Sequence, residues 1–243
     1  MNNYPLLLSG GGNVDFMIKG IFSYKFFGHE VWITTTHVCT LIVMLLLIVF
    51  AALGGRAARN ADIDKAPGKF LNVVELLMDF LDGVINSTMG KNAGKFVNYI
   101  MTLFLFIFLS NISGLLGLRP PTADYGVTFP LGVITFSLIT FNKFKYQKVS
   151  GVIKGLCDPW VFWIPINLIG DFAVPISLSL RLFANVLSGT VMMALYYGLL
   201  PIFVKVGIPS VLHIYFDLFS GAIQTYVFCM LTMTYVSDAI GEG

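Results

Sequence analysis

The sequence predicts an all-α membrane protein with five transmembrane helices and one amphipathic interfacial helix, in which the last two long, tilted helices form an antiparallel hairpin. Hydrophobic residues make up 56% of the 243 positions, and charged residues only 12%, about half the share of an average globular chain. The mean hydropathy is +0.81. Five segments are apolar over most of the ~20 residues that cross ~30 Å of hydrocarbon. These observations exclude a soluble enzyme and a disordered chain.

The predicted elements form a single membrane domain over residues 1–243, beginning with an external N-terminal segment at residues 1–30. The membrane helices are expected at residues 31–53, 96–118, 127–142, 161–200 and 208–238. The last two exceed the length of one vertical crossing, so we expect a tilt, or a kink at Pro175.

Residues 69–89 predict an amphipathic helix on the cytoplasmic side. Apolar residues recur there at helical spacing, but Glu75, Asp79 and Asp82 make the segment too charged to span a membrane. We therefore expect this helix to lie at the membrane surface or against a partner. The basic stretch at residues 143–154 is expected to be a soluble loop.

The distribution of basic residues predicts the orientation. Ten of the fifteen Lys and Arg residues fall in two stretches, residues 54–95 and 143–154. Cytoplasmic loops of membrane proteins carry the excess of Lys and Arg. We therefore expect the N-terminus outside and the C-terminus in the cytoplasm.

The sequence predicts no catalytic residue, no metal site and no cofactor. The three glycines at residues 10–12 lack the Lys-Ser/Thr that completes a phosphate loop. The three histidines are too dispersed for a zinc pair, and the three cysteines lack C-x-x-C spacing. A net charge of +2 is too small to indicate nucleic-acid binding. We expect this chain to bind neither nucleotide nor nucleic acid.

Three ionisable residues lie within the predicted spans, namely Asp171, Arg181 and Asp217. Each costs about 2.5–3.5 kcal/mol at the centre of a bilayer on insertion scales, so each needs a reason. At a rise of ~1.5 Å per residue, Asp171 lies about 15 Å toward the cytoplasm from Arg181. A structural ion pair between Arg181 and Asp217 explains two of the three residues. An ion pathway with two offset openings explains all three.

Small and polar residues line one face of each of the last two helices. On the first of these helices they are Arg181, Asn185, Ser188 and Gly189, and on the second Asp217, Gly221 and Gln224. Two helices joined by a short turn pack antiparallel, so we expect the two polar faces to meet.

The segment SLSLRLFANVLSG at residues 177–189 resembles the signature of the a subunit in the membrane Fo sector of bacterial F-type ATP synthases. The usual form is S-L-x-L-R-L-F-G-N-x-x-x-G, and Ala184 stands where glycine is common. Further matches are RPPTADYGVT at residues 119–128, IPINLIGD at 164–171 and FSGAIQTYVFCMLTMTY at 219–235. The resemblance covers roughly residues 30–238, in the same order of elements as the five predicted spans.

The resemblance implies roles on the cytoplasmic side of the pathway and at its centre. Arg181 matches the essential arginine of the family. Asn185 and Gln224 match its polar neighbours on the two facing helices. Asp171 resembles the acidic residue of the cytoplasmic half-channel.

The opposite half-channel combines matches with one departure. Asn111 and Asp124 resemble its polar groups. Many bacterial members have a glutamate nine residues after the arginine, paired with a histidine on the last helix. Here those two positions hold Thr190 and Asp217, so the acid has moved to the facing helix. His213, one turn before Asp217, either assists it or is an interfacial histidine.

The implied function is that of the proton-channel stator of the ATP synthase, a subunit that is not an enzyme by itself and couples ion flow to ATP synthesis or hydrolysis. The implied partners are the c-subunit ring, the b-subunit stalk, the F1 ATPase sector and the lipid bilayer. The implied location is the bacterial inner or plasma membrane. A sodium-translocating version is an alternative, because ion selectivity is expected to lie on the ring. A secondary ion transporter is disfavoured, because the two halves of the sequence show no internal repeat.

Overall fold

The computed structural model describes residues 20–26, 29–61, 68–116, 118–157, 160–199, 212 and 214–241. Its long helices are α1 (Thr35–Arg59), α2 (Lys69–Met89), α3 (Ala93–Ile112), α4 (Tyr125–Cys157), α5 (Ile164–Leu199) and α6 (Gly221–Ile240). Five helical stretches are long and apolar enough to cross a membrane: Thr35–Arg59, Lys69–Leu115, Tyr125–Gln147, Val161–Tyr196 and Ile214–Ile240. The predicted all-α membrane fold class is confirmed.

A two-stranded β-hairpin precedes α1 and is absent from the predicted elements. Strands β1 (Gly20–Phe26) and β2 (His29–Thr34) are antiparallel, with Phe22 paired to Ile33. Aromatic and polar residues alternate through β1, which is the period-two signal of a strand. This signal is short and lies beside a much longer apolar segment. Consequently α1 begins four residues later than the predicted first span.

α2 covers the predicted residues 69–89 and is amphipathic. Ile85, which is 1% exposed, packs in the core, whereas Asp79 is exposed. Gly90 ends the helix at a φ of 53°, a conformation that glycine adopts without steric cost. A short 3-10 helix, Gly90–Asn92, then leads into α3.

The expectation of a soluble loop at residues 143–154 is wrong, because α4 continues without a break to Cys157. Lys and Gln are good helix formers, so a basic stretch without proline does not end a helix. Contacts with other helices hold this extension in place. Gln147 Nε2 donates a hydrogen bond to the Ala239 carbonyl oxygen on α6 at 3.0 Å, and Asn167 Nδ2 on α5 donates to the Leu156 carbonyl oxygen at 3.0 Å.

α4 and α5 are antiparallel and approach each other closely. Tyr125 at the start of α4 contacts the ring of Phe183, and Phe136 further along contacts the ring of Phe172, so the two sequences run in opposite directions. A Cβ at Gly132 would lie 2.6 Å from the Pro175 carbonyl oxygen, a distance that no side chain tolerates. Glycine at position 132 therefore permits this helix contact.

α6 is preceded by a π-helical segment, Ile214–Ser220, and continues its direction. Its core residues Phe228 and Val236 pack with Ile107 of α3 and Leu182 of α5. The predicted second, fourth and fifth spans therefore share one hydrophobic core. Residues 200–211 and His213, which join α5 to this segment, lie outside the described residues.

Candidate functional site

Arg181 lies on the face of α5 that points away from the other helices described here. It is exposed, while its neighbours Leu178 and Leu182 are 2% and 0% exposed and lie in the core. Among the residues that the structure describes, none forms a hydrogen bond or ion pair with the Arg181 guanidinium. The structural ion pair with Asp217 considered above is therefore not formed. The Arg181 guanidinium is therefore accessible to a molecule that packs against the outer face of α5.

The antiparallel hairpin of α5 and the last helix is held by contacts on the same part of α5. Ser220 Oγ donates a hydrogen bond to Asn185 Oδ1 at 2.9 Å. One turn further along α5, a Cβ at Gly189 would meet the Phe216 Cβ at 3.4 Å. Higher residue numbers on α5 thus contact lower residue numbers on the last helix, so the two helices are antiparallel. Ser220 is a polar neighbour of Asn185 that does not belong to the polar face predicted for the last helix.

The predicted meeting of the two polar faces is only half correct. Asn185 and Gly189 do face the last helix, but they meet Ser220 and Phe216 rather than Asp217 and Gly221. The physical reason is the π-helical segment Ile214–Ser220, whose i→i+5 hydrogen bonds change the angle between successive residues. Residues spaced at 3.6 per turn therefore do not share one face across this π-helical segment.

Asp217 and Gly221 face the C-terminal end of α3 instead. A Cβ at Gly114, in the 3-10 turn Ser113–Leu116 after α3, would lie 3.2 Å from the Asp217 carboxyl carbon. A Cβ at Gly221 would lie 2.9 Å from the Asn111 Cβ. Two glycines thus bring the predicted residues Asn111 and Asp217 to the same end of α3.

Asn111 is the centre of a buried polar network and is 3% exposed. Its Nδ2 donates to the Gly221 carbonyl oxygen at 3.1 Å and to Thr225 Oγ1 at 3.3 Å, and its Oδ1 accepts a hydrogen bond from Thr122 at 2.7 Å. The network joins α3, α6 and the short 3-10 helix Pro121–Ala123. Thr122 and Thr225 were not among the predicted site residues, although Thr122 belongs to the RPPTADYGVT segment.

Asp124 directly precedes α4 and lies two residues after Thr122. Its Oδ1 accepts a hydrogen bond from the Gly126 N–H at 2.9 Å, and its carbonyl oxygen accepts from Val127 and Thr128. This geometry caps the N-terminus of a helix. Asp124 is half-buried. Its carboxylate has a local structural partner and lies at the same end of the bundle as the Asn111 network.

Asp171 lies at the opposite end of the bundle, in an ion pair with Lys143 of α4. The Lys143 Nζ to Asp171 Oδ2 distance is 2.8 Å. Both residues line a cavity of about 530 Å³ between α4, α5 and α6, which we call the inner cavity. Its polar lining residues are Thr140, Lys143, Gln147, Asp171, Tyr235 and Asp238, and the remainder of its wall is apolar. The sequence singled out Asp171 but not its lysine partner.

The remaining predicted residues are placed as follows. Gln224 is 8% exposed, and its Nε2 has no hydrogen-bond partner among the described residues. Thr190 Oγ1 donates to the Leu187 carbonyl oxygen of its own helix at 2.8 Å. His213 lies outside the described residues. No group of three or more His, Cys, Asp or Glu side chains in the described part of the chain is arranged to hold a metal ion.

Comparison with known proteins gives one consistent answer. Residues 37–237 match the family model described as ATP synthase A chain. The chain is 35% identical over 259 residues to the sodium ion specific ATP synthase subunit a of Propionigenium modestum, covering 100% of this chain and 82% of the relative. It is 36% identical over 208 residues to ATP synthase subunit a of Desulforamulus reducens, covering 84% and 78%. It is 31% identical over 240 residues to the corresponding subunit of Macrococcus caseolyticus, covering 91% and 97%.

Proposed function

The chain belongs to the ATP synthase A chain family and is a multi-pass membrane component of an ATP synthase, and we propose that it is the stator of the ion channel in that complex. The observation that carries this proposal is the position of Arg181. It is an exposed cation on the outer face of α5, with polar sites toward both ends of the helix. At ~1.5 Å per residue, Asp171 lies about 15 Å away in one direction and Asn185 about 6 Å away in the other.

The outer half-channel of this proposal contains the end of α3 and the residues around it. Asn111, Asp124, Asp217 and Gln224 supply polar groups there, and Thr122 and Thr225 extend the buried network. Buried polar groups inside a membrane protein are expensive and mark ion pathways by default. The unpartnered Nε2 of Gln224 is such a group, and it lies one helical turn from Ser220, the partner of Asn185.

The inner half-channel contains the inner cavity and Asp171. The cavity is large enough for many water molecules, and its polar residues provide partners for them. Lys95 and Lys143 lie at this end of the bundle, where Lys95 Nζ donates to the Tyr146 hydroxyl at 3.0 Å. Because basic residues concentrate on the cytoplasmic side, this end is assigned to the cytoplasm, with the N-terminus outside and the C-terminus inside.

Ion transfer in this proposal needs a rotating ring of c subunits that carries a membrane carboxylate on each subunit. Ions arriving through the outer half-channel neutralise a ring carboxylate, which can then rotate through lipid, since a charged carboxylate there is heavily penalised. When the carboxylate returns to Arg181, the guanidinium stabilises its ionised form, and the ion leaves past Asp171. Arg181 stays protonated at any working pH and therefore blocks a direct leak between the half-channels.

The membrane potential supplies the driving force for rotation. Each elementary charge that crosses the full potential contributes about 2.3 kcal/mol per 100 mV. The b-subunit stalk and the F1 sector are the further partners of the proposal, since a stator transmits torque only when it is held against the ATPase head. This chain contributes the fixed charge and the two half-channels.

Sodium is a second candidate for the coupling ion, alongside the proton. The observation that favours it is the 35% identity to a relative whose name specifies sodium ion. The two candidates are distinguished in liposomes containing the whole complex. A sodium gradient imposed without a pH gradient drives ATP synthesis only in the sodium version, and a protonophore abolishes synthesis only in the proton version.

The proposed function is tested by replacing Arg181 with alanine in the whole complex. We expect ATP-driven ion uptake into inverted vesicles to fall to background, while the c ring and the F1 subunits still co-purify with the chain. Gly83→Ala on the exposed side of α2, where nothing lies within 4 Å, is the matched control. Uptake near the wild-type rate in an assembled Arg181→Ala complex would falsify the proposal.

A further inference from the structure

The inner cavity is lined by two acids and one base, and one of the acids is paired with the base. Lys143 is the only basic residue in the described lining, and Asp171 and Asp238 are the acidic residues. Tyr235 of α6 is the other titratable group that faces the space. Asp238 is exposed at the rim, and its carboxylate forms no hydrogen bond or ion pair with the described residues. The formal charges of these lining residues therefore sum to −1, and within the described part of the chain Lys143 forms an ion pair only with Asp171.

The ion pair uses only one oxygen of the carboxylate. Lys143 Nζ binds Asp171 Oδ2 at 2.8 Å, and no described residue forms a hydrogen bond with Oδ1. The Asp171 side chain is 44% exposed and the Lys143 side chain 26%. The carboxylate is thus turned toward α4 and the cavity, while its second oxygen stays open to water or to an ion.

Other contacts hold α4 against α5 on both sides of the ion pair. Phe136 and Phe172 pack with ring centroids 5.7 Å apart, and Gly132 lies directly against the Pro175 carbonyl oxygen. Asn167 adds a hydrogen bond from α5 to α4 on the other side of Asp171. Partly exposed ion pairs stabilise proteins only weakly. Register between α4 and α5 is therefore a poor explanation for a charged pair at this position.

We propose that Lys143 is a positioning residue of the inner half-channel, whose ammonium group holds the ionised Asp171 carboxylate on the cavity side of α5 so that Oδ1 can receive the departing ion. This inference rests on the proposed function of Asp171. If the ion is a proton, it binds Oδ1 and then passes to water in the cavity, which restores the carboxylate. If the ion is sodium, Oδ1 is a transient ligand.

The first test compares variants of two lysines on the same helix. Lys143→Met removes the ammonium group, Lys143→Arg keeps a cation, and Lys145→Met removes a charge two residues away. Lys145 is the matched control because it is exposed and contacts the rings of Phe141 and Tyr146 rather than a carboxylate. Ion flux through the membrane sector is measured in vesicles of the whole complex after the F1 sector has been stripped.

We expect Lys143→Met to reduce this flux about fivefold, the factor that corresponds to the upper range for a partly exposed ion pair. Lys143→Arg should retain most of the flux, and Lys145→Met should match the wild type. Lys143→Leu is a second variant in case methionine prevents assembly, because it also lacks the ammonium group and has no donor for Oδ2. Wild-type flux in an assembled Lys143→Met or Lys143→Leu complex overturns the inference.

The second test asks whether Lys143 acts through Asp171. Asp171→Asn is combined with Lys143→Met, and we expect the double variant to conduct at the same rate as Asp171→Asn alone. A further fivefold loss in the double variant overturns the inference, because Lys143 then acts independently. Different results contradict the inner half-channel and the role of Lys143. Normal flux in Asp171→Asn contradicts the inner half-channel itself, whereas reduced flux in Asp171→Asn with normal flux in Lys143→Met contradicts only the role of Lys143.

Discussion

Gly221 lies so close to Asn111 that a Cβ at position 221 would approach the Asn111 Cβ to 2.9 Å. The same asparagine donates a hydrogen bond to the Gly221 carbonyl oxygen at 3.1 Å. Because position 221 has no side chain, the Asn111 side chain of α3 can reach the backbone of α6 there. In the proposed topology, this contact and the Asn111 network lie at the outer end of the bundle.

Gly221→Ala should destabilise the protein by about 1–3 kcal/mol, the usual cost of overpacking a tight contact, and should reduce ion flux by displacing Asn111. Thermal unfolding of the detergent-solubilised complex and flux through the stripped membrane sector measure the two effects. Gly83→Ala in α2 adds a Cβ to open space and should be neutral or slightly stabilising. Equal stability of the two alanine variants contradicts the close contact.

Sequence patterns predict the spanning helices and the amphipathic helix, but they miss features that depend on local backbone geometry. Hydrophobic segments of membrane length are a strong signal, so five spanning stretches and the amphipathic α2 were predictable. The extension of α4 through residues 143–154 is not predictable in this way, because a run of charged residues is compatible with either a loop or a helix. The π-helical segment before α6 was also missed, since a 3.6-residue period cannot show where the period changes.

The same limit applies to the candidate site. Arg181, Asp171 and Asp217 stand out because ionisable residues are rare in apolar segments. Lys143 does not stand out, since it belongs to a basic stretch and pairs with Asp171 only after α4 and α5 pack. Ser220 is an ordinary residue in the sequence and becomes a neighbour of Asn185 only through the helix crossing. The functional roles of these residues remain predictions.

Arg181→Lys should also abolish or severely impair ATP-driven ion uptake. An ammonium group is a point charge, whereas the planar guanidinium presents several donors in a fixed fork to a passing carboxylate. Uptake by inverted vesicles and co-purification of the c ring are measured together. Arg56→Lys near the end of α1 makes the same exchange outside the proposed site and should behave as the wild type. Full uptake in Arg181→Lys would show that a positive charge alone is sufficient.

Asp171→Asn should slow ion transfer at the cytoplasmic side. Thiol labelling of neighbouring positions tests whether Asp171 is reached from that side. Single cysteines at Leu168 and Val174, one turn on either side of Asp171, both line the inner cavity. In a background with alanine at the three native cysteines, we expect a membrane-impermeant thiol reagent to label both positions from the cytoplasmic side. Labelling only from the outer side reverses the proposed topology.

The proposed outer half-channel is tested at Asp217, the acid that the family resemblance places on the facing helix. Asp217→Asn should cut ion-driven ATP synthesis at least about tenfold, because Thr190 has no ionisable group that could replace the carboxylate. In enzymes, removing one positioned proton-transfer group lowers the reaction rate by about 10²–10⁴-fold. Thr190 follows Gly189, which packs against Phe216, the residue before Asp217. A carboxylate at position 190 can therefore reach the same region from the facing helix.

Thr190→Glu combined with Asp217→Asn should restore part of the ATP synthesis that Asp217→Asn loses. Thr190→Glu alone controls for the added carboxylate, and Asp79→Asn on the exposed face of α2 controls for the loss of an acid elsewhere. Synthesis is measured in liposomes with the whole complex and an imposed ion gradient. Normal synthesis by Asp217→Asn means that the outer half-channel runs elsewhere. Failure of the double variant, with assembly intact, means that the position of the carboxylate against Gly114 matters as much as its presence, because the replacement acid approaches from α5 rather than from the end of α3.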